Sequence, residues 1–171
     1  MMGTGRIHMY YGDGKGKTTA AVGQAVRAAG YGLQVLFFQF LKDNSSNERK
    51  ILEAVTCLPG RDQVKFVSRM NGDEKAELRH YNNKALDEIV KFCTNFDVLV
   101  LDEALCAIHL NVLSEEKIRS FLEHKPRGLE VILTGHEVSQ DMLDLADYAT
   151  MMMKVKHPYD RKVMAREGIE F

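Results

Sequence analysis

The sequence predicts a single three-layer α/β domain built on a mostly parallel central sheet, and three observations carry that prediction. Short apolar runs alternate with longer amphipathic stretches along the 171 residues, the order expected when each strand is followed by a crossover helix. Val35-Leu36-Phe37-Phe38 and Val98-Leu99-Val100-Leu101 are apolar without alternation, as strands covered on both faces must be. A glycine-rich turn, Gly12-Asp13-Gly14-Lys15-Gly16-Lys17, joins the first apolar run to the first helical stretch. The length suits one core, and no repeat or linker divides residues 1–171.

The elements follow in order. Ile7-His8-Met9-Tyr10-Tyr11 is the first strand and runs into the glycine-rich turn. Residues 18–29 favour a helix, closed by Gly30 and Gly32. The second strand covers 33–40. Asp43-Asn44-Ser45-Ser46-Asn47 is a loop by composition, and a short helix over 48–55 and a small strand over 64–67 follow it. Between Asp73 and Asn95, Leu78, Tyr81, Leu86, Ile89 and Phe92 recur at helical spacing. The third core strand, 98–101, ends in Asp102-Glu103. Ser114 is placed to cap a helix over 115–123. Pro126-Arg127-Gly128 turn the chain into the fourth core strand, Val131-Ile132-Leu133, which stops at Thr134-Gly135. A helix over 141–147 and a strand over 150–155 complete the regular part, with Met151-Met152-Met153 expected to pack in the core.

Composition narrows the function classes. With 45% hydrophobic and 27% charged residues, 13 Gly and 3 Pro, the chain is neither disordered nor collagen-like. Lys and Arg total 23 against 24 Asp and Glu, so the basic excess of a nucleic-acid binder is missing and no nucleic-acid partner is expected. No apolar run approaches the roughly 18–20 residues needed to cross a bilayer, and the start lacks a signal-peptide core. A cytoplasmic protein without a membrane partner is the expectation. Cys57, Cys93 and Cys106 form no Cys-x-x-Cys pair, so free thiols in a reducing compartment are expected rather than a zinc site or a disulfide framework.

The chemistry is concentrated at the ends of two strands. In Gly12-Asp13-Gly14-Lys15-Gly16-Lys17-Thr18-Thr19 the glycines let the backbone curl so that several N–H groups face one anion, and the following helix adds its positive end. Lys17 can reach terminal phosphates, and the Thr18 hydroxyl is placed to ligate Mg2+. That strand–loop–helix context makes the domain P-loop NTPase-like. The spacing is one residue short, since Gly12 and Gly16 are separated by three residues where four are usual. Such a loop still cradles phosphate without implying γ-phosphoryl transfer. Asp102-Glu103, at the end of an apolar strand, is where a metal-holding acid belongs in this kind of fold. Ligands of open α/β sheets bind at the carboxyl ends of the strands, and both motifs lie there. No Ser-His-Asp or Cys-His set is assignable, which points to an acceptor that brings its own nucleophile.

On these and further residues the chain resembles the P-loop ATP:corrinoid adenosyltransferases, the cob(I)alamin or cob(I)yrinic acid a,c-diamide adenosyltransferase family. The matching stretches are Gly12 through Ala21 running on to Arg27-Ala-Ala-Gly30, Gln39-Phe-Leu-Lys42, Val100-Leu-Asp-Glu103, and Leu133-Thr-Gly135 with Leu143-Asp-Leu-Ala-Asp147. The tail, Val155-Lys-His-Pro-Tyr-Asp160 with Ala165-Arg-Glu-Gly-Ile-Glu-Phe171, is the most distinctive.

The resemblance implies transfer of the 5′-deoxyadenosyl group of ATP to the Co(I) centre of a corrinoid, with release of tripolyphosphate. It implies ATP as co-substrate and Mg2+ or Mn2+ as cofactor. The acceptor is cobalamin, cobinamide or cobyrinic acid a,c-diamide, a flavoprotein is the reductant, and the protein is a homodimer. Lys17 and Glu103 become the catalytic candidates. Gly12, Asp13, Gly14, Lys15, Gly16, Lys17, Thr18, Thr19 and Arg27 become the nucleotide-binding set, with Thr18, Asp102 and Glu103 as metal ligands. Two positions depart from the family: the arginine after Thr-Gly is His136, and the aromatics that some members carry near Gly72 are replaced by Ser68-Arg-Met-Asn-Gly-Asp73. The alternatives are a nucleotide or nucleoside kinase and a non-catalytic ATP-dependent corrinoid-binding protein.

Overall fold

The computed structural model describes residues 3–50 and 52–170. Met1 and Met2, Ile51 of the expected 48–55 helix, and Phe171 of the tail motif lie outside the described residues. Six strands, β1 (Ile7–Tyr11), β2 (Val35–Gln39), β3 (Thr56–Cys57), β4 (Val98–Asp102), β5 (Glu130–Thr134) and β6 (Tyr148–Met151), form one sheet in the order β3-β2-β4-β5-β1-β6. Every pairing is parallel. All residues of β2 and β4 are buried, which is why those segments read as unbroken apolar runs. The register sets Gln39 opposite Asp102 and Tyr10 opposite Thr134. Parallel pairing therefore collects the carboxyl ends of β1, β2, β4 and β5 along one edge.

Side chains alternate across the sheet, and each face has its own cover. On one face lies α1 (Lys17–Tyr31), whose Ala21, Ala25 and Ala28 are buried against Phe37, Val100 and Ile132. Alanines at this spacing make one small-residue stripe, which lets the helix axis approach the strands closely. The other face carries α2 (Gly72–Phe92) and α4 (Glu115–His124). Leu78, Leu86, Ile89, Ile118 and Leu122 from these helices pack with Met9, Leu36, Leu99, Leu101 and Leu133 of the sheet. Each such burial is worth roughly 1.5–3 kcal/mol relative to exposure. Shorter helices, α3 (Ala104–His109) and α5 (Gln140–Leu143), sit in the connections. Among the described residues no helix is long and apolar enough to cross a membrane.

Local signals account for most element ends. Gly32, in the left-handed region at φ 98°, closes α1, so Gly30 lies inside the helix rather than ending it. Asn71 and Glu74 form a reciprocal capping box at the start of α2, and Ser114 caps α4 through the Lys117 amide. Elsewhere the structure corrects the sequence. In place of a helix over 48–55 there is one 3-10 turn, Asn47–Lys50, because Leu52 and Val55 are drawn into the α1-side core on the way to the edge strand β3. The expected strand at 64–67 is absent. Phe66 is 74% exposed and Lys65 is paired with Glu74, so this stretch finds no strand partner. The helix expected over 141–147 stops at Leu143, and the last strand begins at Tyr148, where its register with His8 places it.

The methionine run is not core. Met151 and Met153 are 56% and 70% exposed, because β6 is an edge strand that no helix covers. Beyond β6 the chain crosses the glycine-rich turn, and the Gly14 amide donates to the Met152 carbonyl at 2.8 Å. A Cβ on Gly14 would sit 2.8 Å from that oxygen and 2.9 Å from the Met153 carbonyl carbon. One on Gly12, at φ 109°, would collide with the Met152 oxygen. The close crossing of two backbones is what demands glycine at these positions.

The cysteines are free, Cys93 and Cys106 buried and Cys57 half-buried. Burial, with the Glu103 charge and hydrogen bond behind it, pushes the Cys106 thiol up to about 12. Alkylation of the native protein at neutral pH is therefore expected to label Cys57 first and to spare Cys106, as peptide mapping after iodoacetamide would show. Because the folded thiol holds its proton longer than an ordinary one near 9, this group withdraws stability as pH rises from 9 towards 12. Asn71→Ala removes the bond from the Glu74 amide to the Asn71 side chain and is expected to lower stability by about 1 kcal/mol, seen as a lower urea midpoint at unchanged slope.

Candidate active site

The site begins where β1 ends. The Gly12 amide donates to the His136 carbonyl at 2.8 Å and the Gly14 amide to Met152, so these two amides hold the loop to its neighbours instead of facing an anion. Past them the chain turns at Gly16, φ 112°, directly into α1. Among the described residues the backbone N–H groups of Lys15, Gly16, Lys17, Thr18 and Thr19 have no hydrogen-bond acceptor, and the first helical bond is that of Ala20 to Gly16. Consecutive amides opening onto a helix N-terminus form an anion-binding concavity. The Lys17 ammonium lies over it, folded back onto the Gly14 carbonyl at 2.5 Å.

Across the sheet edge, Asp102 is fully buried. Its Oδ1 accepts hydrogen bonds from the Thr18 hydroxyl at 2.9 Å and the Thr134 hydroxyl at 2.6 Å. Its Oδ2 accepts from the Lys42 ammonium at 2.9 Å and the Gln39 amide nitrogen at 3.1 Å. A buried carboxylate is tolerated only when paired and hydrogen-bonded in this way. Burial alone would pull the Lys42 ammonium down, but the charge and hydrogen bond of Asp102, joined by Glu103 and Glu48, hold it above the usual lysine range. Gln39 also donates to Glu48 at 2.8 Å, while its buried Oε1 has no partner among the described residues. Glu103 follows in the left-handed region, φ 60°, a conformation costing about 1–3 kcal/mol for a side-chain-bearing residue. Its amide donates to Thr134 Oγ1 at 2.9 Å, which secures that sharp exit from the strand.

The structure thus joins Thr18 and Asp102 from separate motifs, with Lys17 over the adjoining loop and Glu103 on the next residue. Other expected residues face elsewhere. Lys15 is turned towards the tail, its ammonium 2.9 Å from Glu170 Oε1 and 3.3 Å from the Ile169 carbonyl. Arg166 and Lys15 together hold the Glu170 carboxyl down at about 2. Asp13 accepts from the Lys154 amide at 2.9 Å, tying down the same tail. Thr19 is exposed. Arg27 is exposed on α1, ten residues beyond Lys17 and so about 15 Å further along the helix axis. It is not brought to the loop.

Sequence reasoning gave no role to Gln39, Lys42 and Thr134, although all three lie in stretches that carry the resemblance. Their meeting on Asp102 depends on strand order, which has no local signature. The His136 side chain is exposed, but its backbone serves both the Gly12 amide and, through its own N–H, the Cys106 sulfur at 3.2 Å. Near Gly72 the exposed aromatic is Phe66, with the Arg69 guanidinium 5.6 Å above its ring.

Among the described residues no group of three or more His, Cys, Asp or Glu side chains could hold a metal ion. A divalent ion here would therefore take most of its ligands from a bound nucleotide, as Mg2+ does when one or two protein oxygens supplement phosphate. The Thr18 hydroxyl, the unpartnered Gln39 Oε1 and the Asp102 carboxylate, already facing a cation in Lys42, suit that arrangement.

Known proteins resemble this chain in fold and in sequence. Among solved structures, the flagellar accessory protein FlaH from Methanocaldococcus jannaschii superimposes with a TM-score of 0.57 at 13% identity, covering 88% of this chain and 72% of that one; the likeness concerns the fold. The corrinoid adenosyltransferase of Escherichia coli K12 is 33% identical over 98% of this chain and 86% of its own length. Corrinoid adenosyltransferase CobA of Salmonella typhimurium is 34% identical over the same shares. The family model described as ATP:corrinoid adenosyltransferase BtuR/CobO/CobP matches residues 3–171. A P-loop NTPase-like sheet, a phosphate loop of the short kind and a match running from end to end place the chain in the ATP:corrinoid adenosyltransferase family.

Proposed function

We propose that the protein transfers the 5′-deoxyadenosyl group of ATP to the Co(I) centre of a corrinoid and releases tripolyphosphate. The observation that carries the reading is the pairing of an anion-binding loop with the Thr18–Asp102 contact, 2.9 Å, at the carboxyl edge of the sheet. In this reaction Co(I) attacks C5′, the cobalt–carbon bond forms with the metal's electron pair, and the C5′–O bond breaks with its pair on the departing triphosphate. The acceptor needs no deprotonation. What the protein must supply is stabilisation of negative charge on the leaving group, and preorganised donors do this without reorganisation cost.

The residues divide that work. The free amides of residues 15–19 receive the polyphosphate, and Lys17 swings from the Gly14 carbonyl to the terminal oxygens. Thr18, held by Asp102, and Glu103 present oxygens where a nucleotide-bound Mg2+ or Mn2+ would be held. When bound, that ion supplies charge neutralisation on the departing group. The same reading takes cobalamin, cobinamide or cobyrinic acid a,c-diamide as the acceptor and a flavoprotein as its reductant.

Incubation with ATP, Mg2+ and chemically reduced cobalamin tests the proposal. It should yield the light-sensitive adenosylated product, and the ³¹P spectrum should show free tripolyphosphate. ADP with a phosphorylated acceptor would instead establish a kinase and overturn the assignment. Lys17→Ala is expected to lower kcat by at least about a hundredfold, the scale for removing a preorganised charge donor, with far-UV circular dichroism unchanged. Activity should vanish in excess chelator and return with Mg2+ or Mn2+; full turnover in chelator would remove Thr18 and Glu103 from the metal role.

A further inference from the structure

Lys42 is held in place by the groups around the Asp102 carboxylate. Two residues after Gln39, the chain enters the left-handed region at Leu41, φ 58°, a strained conformation for a non-glycine residue. The Phe40 amide just before it is anchored on the Asp102 carbonyl at 2.9 Å, and the backbone at Asp43, two residues on, forms an isolated parallel bridge with that at Arg61. The turn between these anchors sends the Lys42 side chain back over the sheet edge. Its ammonium stands 2.9 Å from Asp102 Oδ2, 3.5 Å from Thr18 Oγ1 and 3.9 Å from Glu48 Oε1.

This is the space a cation on Thr18 would claim. An ion at a metal–oxygen distance of about 2.1 Å from Thr18 Oγ1 would lie no more than about 5.6 Å from the Lys42 ammonium, and closer on the Asp102 side. Two cations at that range beside one buried carboxylate repel strongly. We propose that Lys42 is the built-in counter-cation of the Thr18–Asp102 site, which it leaves for the triphosphate when the metal enters. Its side chain is 28% exposed and the phosphate loop adjoins Thr18, so the flexible lysine stem has both an exit and an anionic destination. Lys42 is then a positioning residue that couples metal loading to nucleotide loading: without ATP the ammonium excludes the ion, and with ATP both cations are satisfied.

The inference rests on the metal reading of Thr18 and Asp102, but its test needs no corrinoid. Mn2+ binding to the full chain, followed by electron paramagnetic resonance in the absence of nucleotide, should be weak. In Lys42→Met it should tighten by about tenfold or more, since one unit of positive charge is withdrawn from the site, while affinity for ATP weakens. Lys42→Arg, which keeps the charge, should retain the original pattern, an outcome that loss of packing alone would not produce. Nucleotide-free Mn2+ affinity that is unchanged or weaker in Lys42→Met overturns the proposal. If that variant does not fold, Lys42→Gln gives the same readout. Should both neutral variants fold only on addition of Mn2+, the assignment is supported; if Mn2+ does not restore them, it fails. Failure of adenosyl transfer by the unaltered protein would sink the proposed function and leave the Mn2+ comparison intact.

Discussion

The carboxylate of Asp102 is fully buried at the carboxyl edge of the sheet, and removing a charge from water is tolerable only where the surroundings answer it. Here the answer comes from four residues on three segments of the chain. Thr18 belongs to the phosphate loop, Gln39 and Lys42 to the exit from β2, and Thr134 to the end of β5. The parallel register that puts Gln39 opposite Asp102 and Tyr10 opposite Thr134 makes this convergence possible. Fold and site are in this sense one construction: the hydrogen bonds that keep one charge buried also align the loop, the Thr18 hydroxyl and the acid that follows.

Glycine and charge have different duties in the phosphate loop from those its motif suggests. Gly12 and Gly14 admit the backbone of Met152, which passes too close for any Cβ, and their amides bind His136 and Met152 rather than an anion. Asp13 and Lys15 hold the tail through the Lys154 amide and Glu170. Among the described residues the amides from Lys15 to Thr19 are left without an acceptor, and the Lys17 ammonium stays on the Gly14 carbonyl. The chain's most distinctive segment, its tail, is thereby fastened to the loop, and the residues that do the fastening lie inside the motif itself.

Most of the fold was legible because its signals are local. The apolar runs at β2 and β4, the alanine stripe of α1 and the serine before α4 each report their own environment. The misreadings arise where a local preference met a tertiary demand. Leu52 and Val55 sit in a helix-like stretch yet are pulled into the core next to β3, and the methionines after Thr150 look like core residues yet lie on an uncovered edge strand.

The sequence by itself determined the parallel α/β architecture, the phosphate loop between β1 and α1, and the acid pair at the end of β4, because hydrophobic period, glycine spacing and strand-end position are properties of neighbouring residues. Only the tertiary structure decided that Lys42, Gln39 and Thr134 surround Asp102, that Lys15 turns to Glu170, and that Arg27 stays on the outer face of α1. Those outcomes depend on strand order and crossover path, which unite residues up to 155 positions apart, as in the Lys15–Glu170 contact. Composition and spacing carry no record of such distances, whereas the burial of a single carboxylate enforces them.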